Sequence, residues 1–381
     1  MSRAIEPPAT LAVLGGGQLG RMFLQAAQRM GYRGLVLSAT PDGPAAQVAH
    51  ETIVGPPDSL EALRRVADRS SAVTVEFENV SSPGLRWLSR RLPVRPGWRT
   101  VRVSQDRLRE KGFLARHGFP LAPWKPVRTE GELSRAVVDL GLPLILKTSA
   151  SGYDGKGQCR VDGPGEAADA WAGLGRVHCV AEAVVSFAAE ISVVVVRGED
   201  GRSDAYPPCL NRHSRHILDS TVIPAPIGPW ATMAARSLAL GVAEALGTVG
   251  VLTVEFFLSA DGSLAINEIA PRPHNSGHAT IEAAVTSQFE QQVRASCGLP
   301  IGSTALVSPA AMVNLLGDLW ASGTPRWDRA LGSDPGVKLH LYGKNTAKPG
   351  RKMGHLTVLD PDPENALARV LAARGRLVAT D

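Results

Sequence analysis

Residues 251–272 read VLTVEFFLSADGSLAINEIAPR, two β-prone runs on either side of Asp-Gly. No other stretch constrains the fold as strongly, because an Asp-Gly turn between two such runs specifies both an antiparallel hairpin and its register. With Asp261 and Gly262 as a two-residue turn, Glu255 falls directly opposite Glu268, with Cβ atoms roughly 4.5–5.5 Å apart. Two carboxylates so placed on otherwise apolar strands repel one another unless something positive lies between them. An arginine or lysine would make the pair purely structural. The apolar setting favours a hard divalent cation instead, and Mg²⁺ accompanying a nucleotide is the expected occupant.

The N-terminal hundred residues alternate short apolar runs (LAVLG, GLVLS, AVTVEFE) with helical patterns (Arg21 to about Met30, and DSLEALRRVAD). This alternation predicts an α/β fold opening with a doubly wound parallel sheet. Within it, LAVLGGGQLG carries Gly15, Gly17 and Gly20 at the spacing of a dinucleotide-binding turn. Such a site also needs an acid at the end of the second strand. GLVLS ends in Ser38 and Asp42 lies beyond it in a Pro-Gly turn, so NAD is not expected. The glycines suit a tight strand-to-helix turn whose helix N-terminus faces a cleft, with Gln18 and Leu19 on the substrate side.

A break at RLPVRPGW separates this unit from a polar helix in SQDRLREKGFLARHGFP. A compact segment follows, closing with VHCVAEAVV, and then a larger unit containing the hairpin and a mixed tail. The expected division is residues 1–105, 106–186 and 187–381. The chain has 381 residues, 44% of them hydrophobic and 20% charged, with a formal net charge of +5. Its basic residues look dispersed, without a basic run interleaved with aromatics, so no nucleic-acid partner is expected. No apolar run is long enough to span a bilayer and no signal core precedes the first strand, which predicts a cytoplasmic protein with no membrane association. Cys159, Cys179, Cys209 and Cys297 are far apart and form neither a zinc knuckle nor a disulfide framework. The histidines of RHSRH and HNSGH lack accompanying cysteines at zinc spacing, so no zinc is assigned.

Two further constellations stand out. Lys147 closes the strand LPLILK and is followed by SGYDGKGQ, offering a point charge and unobstructed backbone N–H groups to phosphates, although an ordinary hairpin turn would use the same residues. Glu182 and Glu190 bracket a short linker between strand-like runs, AEAVVSFAAEISVVVV, where backbone groups could meet an adenine edge and an acid could take ribose hydroxyls. Strand-end solvation is the alternative for both acids.

In this order, a strand lysine, a glycine loop, an acid-bearing linker and paired carboxylates resemble the ATP-grasp enzymes. GGGQLGRM, EFENV, SQDRLREKGFL, GYDGKGQ, NEIAPRPHNSGH, SQFEQQVRA, MVNLLG and PGRKMGHLTV resemble the N5-carboxyaminoimidazole ribonucleotide synthetases of bacterial purine biosynthesis, from Gly15 to about Val358. The resemblance implies three domains that clasp Mg-ATP between the middle and last. Implied ATP contacts are Arg107, Lys147, the loop Gly152, Tyr153, Asp154, Gly155, Lys156, Gly157 and Gln158, the linker Glu182, Ala183, Val184 and Val185, and Glu190, His213, Asn267 and Glu268. Glu255 and Glu268 would hold Mg²⁺. On a regular strand Asn267 faces away from Glu268, so its contact requires a bulge or a backbone role. Implied neighbours of the substrate, aminoimidazole ribonucleotide, are Glu76, Tyr153, Asp154, Arg272, His274, Asn275, Lys344 and Arg351, with Tyr153, Asp154, His274 and Lys344 as catalytic candidates. Ser151, where the family often has a second glycine, and the looser YGKNTAKPGRK depart from the pattern. The implied reaction consumes ATP and bicarbonate, and a homodimer is expected because family members commonly form one. The competing readings are a formate-activating relative, a nucleotide-binding regulator with a decayed site and a dehydrogenase. The motif NEIAPRPHNSGH and the length favour the first reading over the second, the retained Lys147, Glu255 and Glu268 disfavour the third, and Ser38 the fourth.

Overall fold

The computed structural model describes residues 3–150, 152 and 155–378. Three sheets organise the chain. The first is parallel, in the order Glu51–Val54, Arg33–Ser38, Thr10–Leu14, Ala72–Val75. Its two central strands are almost wholly apolar because both faces are covered. Leu35, Leu37 and Val75 pack in one core with Leu63 and Val66 of the helix Leu60–Arg69. Leu11, Val13 and Val36 pack in another with Phe23 and Leu24.

The first helix spans Gln18–Arg29, three residues earlier than its apolar pattern predicts. Gly17 at its N-cap contributes no side-chain cap. The Glu76 carboxylate supplies one from 56 positions away, accepting the Gly20 N–H at 2.9 Å. The strand expected over AVTVEFE ends at Val75.

The second sheet is antiparallel, ordered Trp124–Val127, Cys179–Ala183, Leu144–Thr148, Gln158–Val161. It sets Lys147 between Val180 and Gln158. The third has nine strands, ordered Leu264–Ala270, Gly250–Leu258, Ala189–Arg197, Cys209–Ser214, Ile217–Ile223, Ala310–Leu316, Lys352–Leu359, Lys338–Leu341, with Ser203–Ala205 beside Ala189–Arg197. The alanine-rich helix Pro229–Ala245 lays Ala235, Ala239 and Val242 into a core with Val193, Val195, Leu252 and Val254.

The hairpin pairs Glu255 with Glu268 as expected, but by two cancelling irregularities. Its turn is longer than two residues: Ser259 N–H donates to the Ser263 carbonyl at 2.9 Å, and Gly262 adopts φ +85°. That left-handed glycine completes a three-residue loop. The shifted ladder holds through Phe256–Ile266, where Asn267 bulges out and restores the expected register at Glu255–Glu268.

Candidate active site

The polar helix of SQDRLREKGFL spans Arg107–Arg116 and starts at Asp106, whose side chain accepts the Arg109 N–H. That cap puts Arg107, Glu110 and Lys111 on one face, against the bulged strand. Arg107 Nη1 donates to Glu268 Oε2 at 2.7 Å. Burial alone would raise the Glu268 pKa, but Arg107, Lys147 and His274 outweigh it and hold it at about 2. Glu110, buried beside it with one carboxylate oxygen unpartnered, is pushed the other way, to about 8, first by burial and then by the Glu268 charge. Lys111 is fully buried, donates to the Asn267 carbonyl at 2.9 Å and lies 3.3 Å from Glu182 Oε1.

Lys147 Nζ donates to Glu182 Oε2 at 2.9 Å and lies 3.5 Å from Asn267 Oδ1. Burial would raise the Glu182 pKa, yet Lys111 and Lys147 lower it overall. The Asn267 side chain therefore shares the site with its neighbour Glu268, through a bulge, one of the two arrangements open to it. Glu182 and Ala183 end their strand, and Val184 and Val185 begin the linker. Glu190 and His213, on adjacent strands, are hydrogen-bonded through their side chains. Burial lowers the His213 pKa, but the Glu190 carboxylate raises it more.

In the glycine loop, Gly155 and Gly157 have φ +77° and +72°. A Cβ on Gly155 would stand 2.6 Å from that of His216, and one on Gly157 2.6 Å from Thr148 Oγ1. Gln158 resumes the strand opposite Lys147. The candidates Tyr153 and Asp154, and Ser151, lie outside the described residues.

His274 Nε2 donates to Glu255 Oε1 at 3.0 Å. A buried polar chain positions it: Thr221 Oγ1 donates to Asn211 Oδ1, Asn211 Nδ2 to Ser192 Oγ, and Ser192 Oγ to Ser276 Oγ. Ser276 Oγ is then 2.9 Å from His274 Nδ1, and the Ser276 N–H faces the same nitrogen. A backbone N–H can only donate, so Nδ1 accepts and Nε2 carries the proton towards Glu255. Each metal-candidate carboxylate thus uses one oxygen on a protein donor, and its other oxygen has no partner among the described residues. That set fits Mg²⁺, which takes one or two carboxylates and completes its shell with water and phosphate oxygens. Among the described residues no cluster of three or more His, Cys, Asp or Glu side chains could hold a metal ion.

The substrate-side candidates divide. Gln18, Lys344 and Arg351 line one cavity of about 490 Å³ with Gly15–Gly17, Ser38 and Phe77. It joins the glycine turn to the loop after Lys338–Leu341, held there by Gln47 donating to the Gly343 carbonyl at 2.7 Å. Leu19 instead packs against a hydrophobic core. Arg272 forks onto Glu78 at 2.7 and 3.4 Å. Asn275 is tied reciprocally to Asn314 at 2.6 and 3.2 Å, so its amide serves the scaffold. Glu76 seats its carboxylate on the first helix's N-terminus, its pKa raised by burial against the opposing effect of Gly20, Gly17, Arg272 and Lys344.

Glu76 also explains the opening glycines. A Cβ on Gly15, Gly17 or Gly20 would fall 2.3, 2.2 or 2.7 Å from Glu76 atoms. The helix N-terminus that would take a dinucleotide pyrophosphate is occupied by an acid of the chain itself. NAD and NADP are accordingly expected to leave the melting temperature unchanged where Mg-ATP raises it, and a comparable shift with either dinucleotide would restore the dinucleotide reading.

Three family models match the chain in order: a ribonucleotide synthetase preATP-grasp domain over residues 9–105, an ATP-grasp domain over 112–289 and a phosphoribosylaminoimidazole carboxylase C-terminal domain over 310–369. The N5-carboxyaminoimidazole ribonucleotide synthase of Bacillus subtilis (strain 168) is 41% identical over 365 residues, covering 94% of each chain. The chain belongs to the N5-carboxyaminoimidazole ribonucleotide synthase family. The synthase of Brucella melitensis is also 41% identical, over 94% of this chain and 98% of its own. Among solved members of the synthase family, an ADP complex superimposes with TM-score 0.93 at 40% identity, covering 98% of both chains. The Aspergillus clavatus enzyme in complex with ADP and 5-aminoimidazole ribonucleotide superimposes with TM-score 0.88 at 31% identity, over 97% of this chain and 98% of that one. Fold class and ATP-grasp membership therefore stand as expected. Glu110, Lys111, Ser192, Asn211 and Ser276 were not anticipated from the sequence, where polar residues on helices and strands read as solvated.

Proposed function

We propose that this chain is an ATP-dependent ligase that carboxylates 5-aminoimidazole ribonucleotide with bicarbonate, giving N5-carboxyaminoimidazole ribonucleotide, ADP and phosphate. The observation that carries this reading is the cavity lined by Lys344, Arg351 and Gln18, in a chain that also sets Lys147 and the Glu255–Glu268 pair for a nucleotide. Lys147 and the glycine-loop N–H groups hold the ATP phosphates, while the linker Glu182–Val185 and Glu190 take the nucleoside. Glu255 and Glu268 would hold Mg²⁺, which when bound would supply the charge neutralisation that phosphoryl transfer needs. Bicarbonate oxygen attacks the γ-phosphorus, releasing ADP and leaving carboxyphosphate. The exocyclic amine of the imidazole then attacks the carboxyl carbon, phosphate leaves, and the amine gives up a proton. Lys344 and Arg351 hold the substrate phosphate, and His274 keeps Glu255 oriented.

Asp154 is the candidate to orient the amine or accept its proton, with Tyr153 against the ring. Asp154→Ala is expected to keep Mg-ATP affinity within a few fold while the ratio of carboxylated imidazole to ADP falls. A wild-type ratio with normal turnover would leave the loop a phosphate cradle only. We further read the chain as cytoplasmic, homodimeric and without a nucleic-acid partner, divided at residues 105 and 186. The sheets fall within those bounds, and among the described residues no helix is long and apolar enough to cross a membrane. ADP release measured with the imidazole substrate, with and without bicarbonate, tests the reaction. Release independent of both would remove it.

A further inference from the structure

Lys111 is the residue whose placement the reaction scheme leaves unexplained. A fully buried ammonium is costly and is retained only where it is paired. Its pairing is specific: the Asn267 carbonyl at 2.9 Å and Glu182 Oε1 at 3.3 Å. Glu182 is 3% exposed and its other oxygen is held by Lys147 at 2.9 Å, so one carboxylate lies between two ammonium groups. We propose that Lys111 is a positioning residue that holds Glu182 when Lys147 turns to nucleotide phosphate and pins the bulge at Asn267 that sets Glu268 opposite Glu255.

The first half follows from charge. Lys147 cannot serve Glu182 and a phosphate fully at once. If Lys147 were the only counter-charge of Glu182, each nucleotide that bound would strand a buried carboxylate, and affinity would fall by that penalty. Lys111 leaves Glu182 paired throughout and the pair of lysines one positive charge in excess, which is the charge a phosphate seeks. The second half follows from backbone geometry. A bulged residue drops out of the ladder and its polar groups need another partner. Lys111 gives the Asn267 carbonyl that partner, and without the bulge Asn267, not Glu268, would stand opposite Glu255.

The inference rests on the ligase reading for its choice of nucleotide, and two variants separate its halves. Lys111→Met keeps the length and apolar bulk of the side chain but loses both contacts. Mg-ADP affinity by calorimetry is expected to fall tenfold or more, and the Mg²⁺ concentration for half-maximal turnover to rise. KM for the imidazole substrate should stay within about twofold. Lys111→Gln, whose amide can still donate to Asn267, is expected to weaken Mg-ADP while leaving the Mg²⁺ requirement near wild type. Adding Glu182→Gln to Lys111→Met removes the stranded charge and should recover Mg-ADP affinity to the level of Glu182→Gln alone, but not the Mg²⁺ requirement. A lysine needed only for packing would lower the melting temperature without these splits. Wild-type Mg-ADP affinity in both single variants, or no recovery in the double variant, would overturn the proposal. If Lys111→Met does not fold, the Lys111→Gln split alone decides. Calorimetry reads nucleotide binding without turnover, so failure of the carboxylation assay in the wild-type enzyme is a separate result.

Discussion

Glu255→Gln and Glu268→Gln each lose ATP turnover by about a hundredfold or more while the chain stays folded. The estimate follows the cost of removing one preorganised charge-stabilising group from an active site, about 10²–10³ in rate, and a carboxylate opposite another carboxylate is harder to replace than a single donor. The fold should survive because each carboxylate bonds the protein through one oxygen, to His274 and Arg107 respectively, and a glutamine oxygen can accept the same bond. ADP release at saturating Mg²⁺ and the melting temperature are the two measurements. Near-normal turnover in either variant would return the pair to a structural role, with the Arg107 charge and the His274 N–H as sufficient partners.

Lys147→Ala is expected to raise KM for ATP by roughly 10- to 150-fold, the equivalent of about 1.5–3 kcal/mol for one hydrogen bond to a charged group, and to lower turnover as well. Its cost in stability should be smaller, because Glu182 keeps Lys111. Unchanged nucleotide binding by calorimetry would make Lys147 an ordinary strand-end lysine whose only role is its bond to Glu182.

The legible parts of this protein are those written in local periodicity. The Glu255–Glu268 pairing could be read because a turn and an alternating pattern fix which residues oppose one another. It survived a wrong turn length only because the bulge at Asn267 restored the register. The start of the first helix could not be read, since its cap, Glu76, follows a different strand, Ala72–Val75, and no local pattern marks it. Asn275 looked like a substrate residue by its motif, and only the packing of the sheet reveals Asn314 as its partner. Glu110 and Lys111 stayed hidden because charged residues in a polar helix are usually wet. The available signal was their spacing behind Arg107, which places all three on one face. Ser192 and Asn211 carried no signal, because the chain they form crosses three strands and a turn.

A regular strand presents one side chain to a given face every second residue, so ligands along it are spaced by nearly 7 Å. At Asn267 and Glu268 the irregular ladder suspends that rule and brings consecutive side chains to one side. The result is a local doubling of functional groups per unit length of strand, within reach of Lys147 and Arg107. Straightening the strand would keep every residue of the motif in the chain and still halve the number that face Lys147 and Arg107, so the adjacency of Asn and Glu in the sequence has meaning only with one residue too many in the ladder.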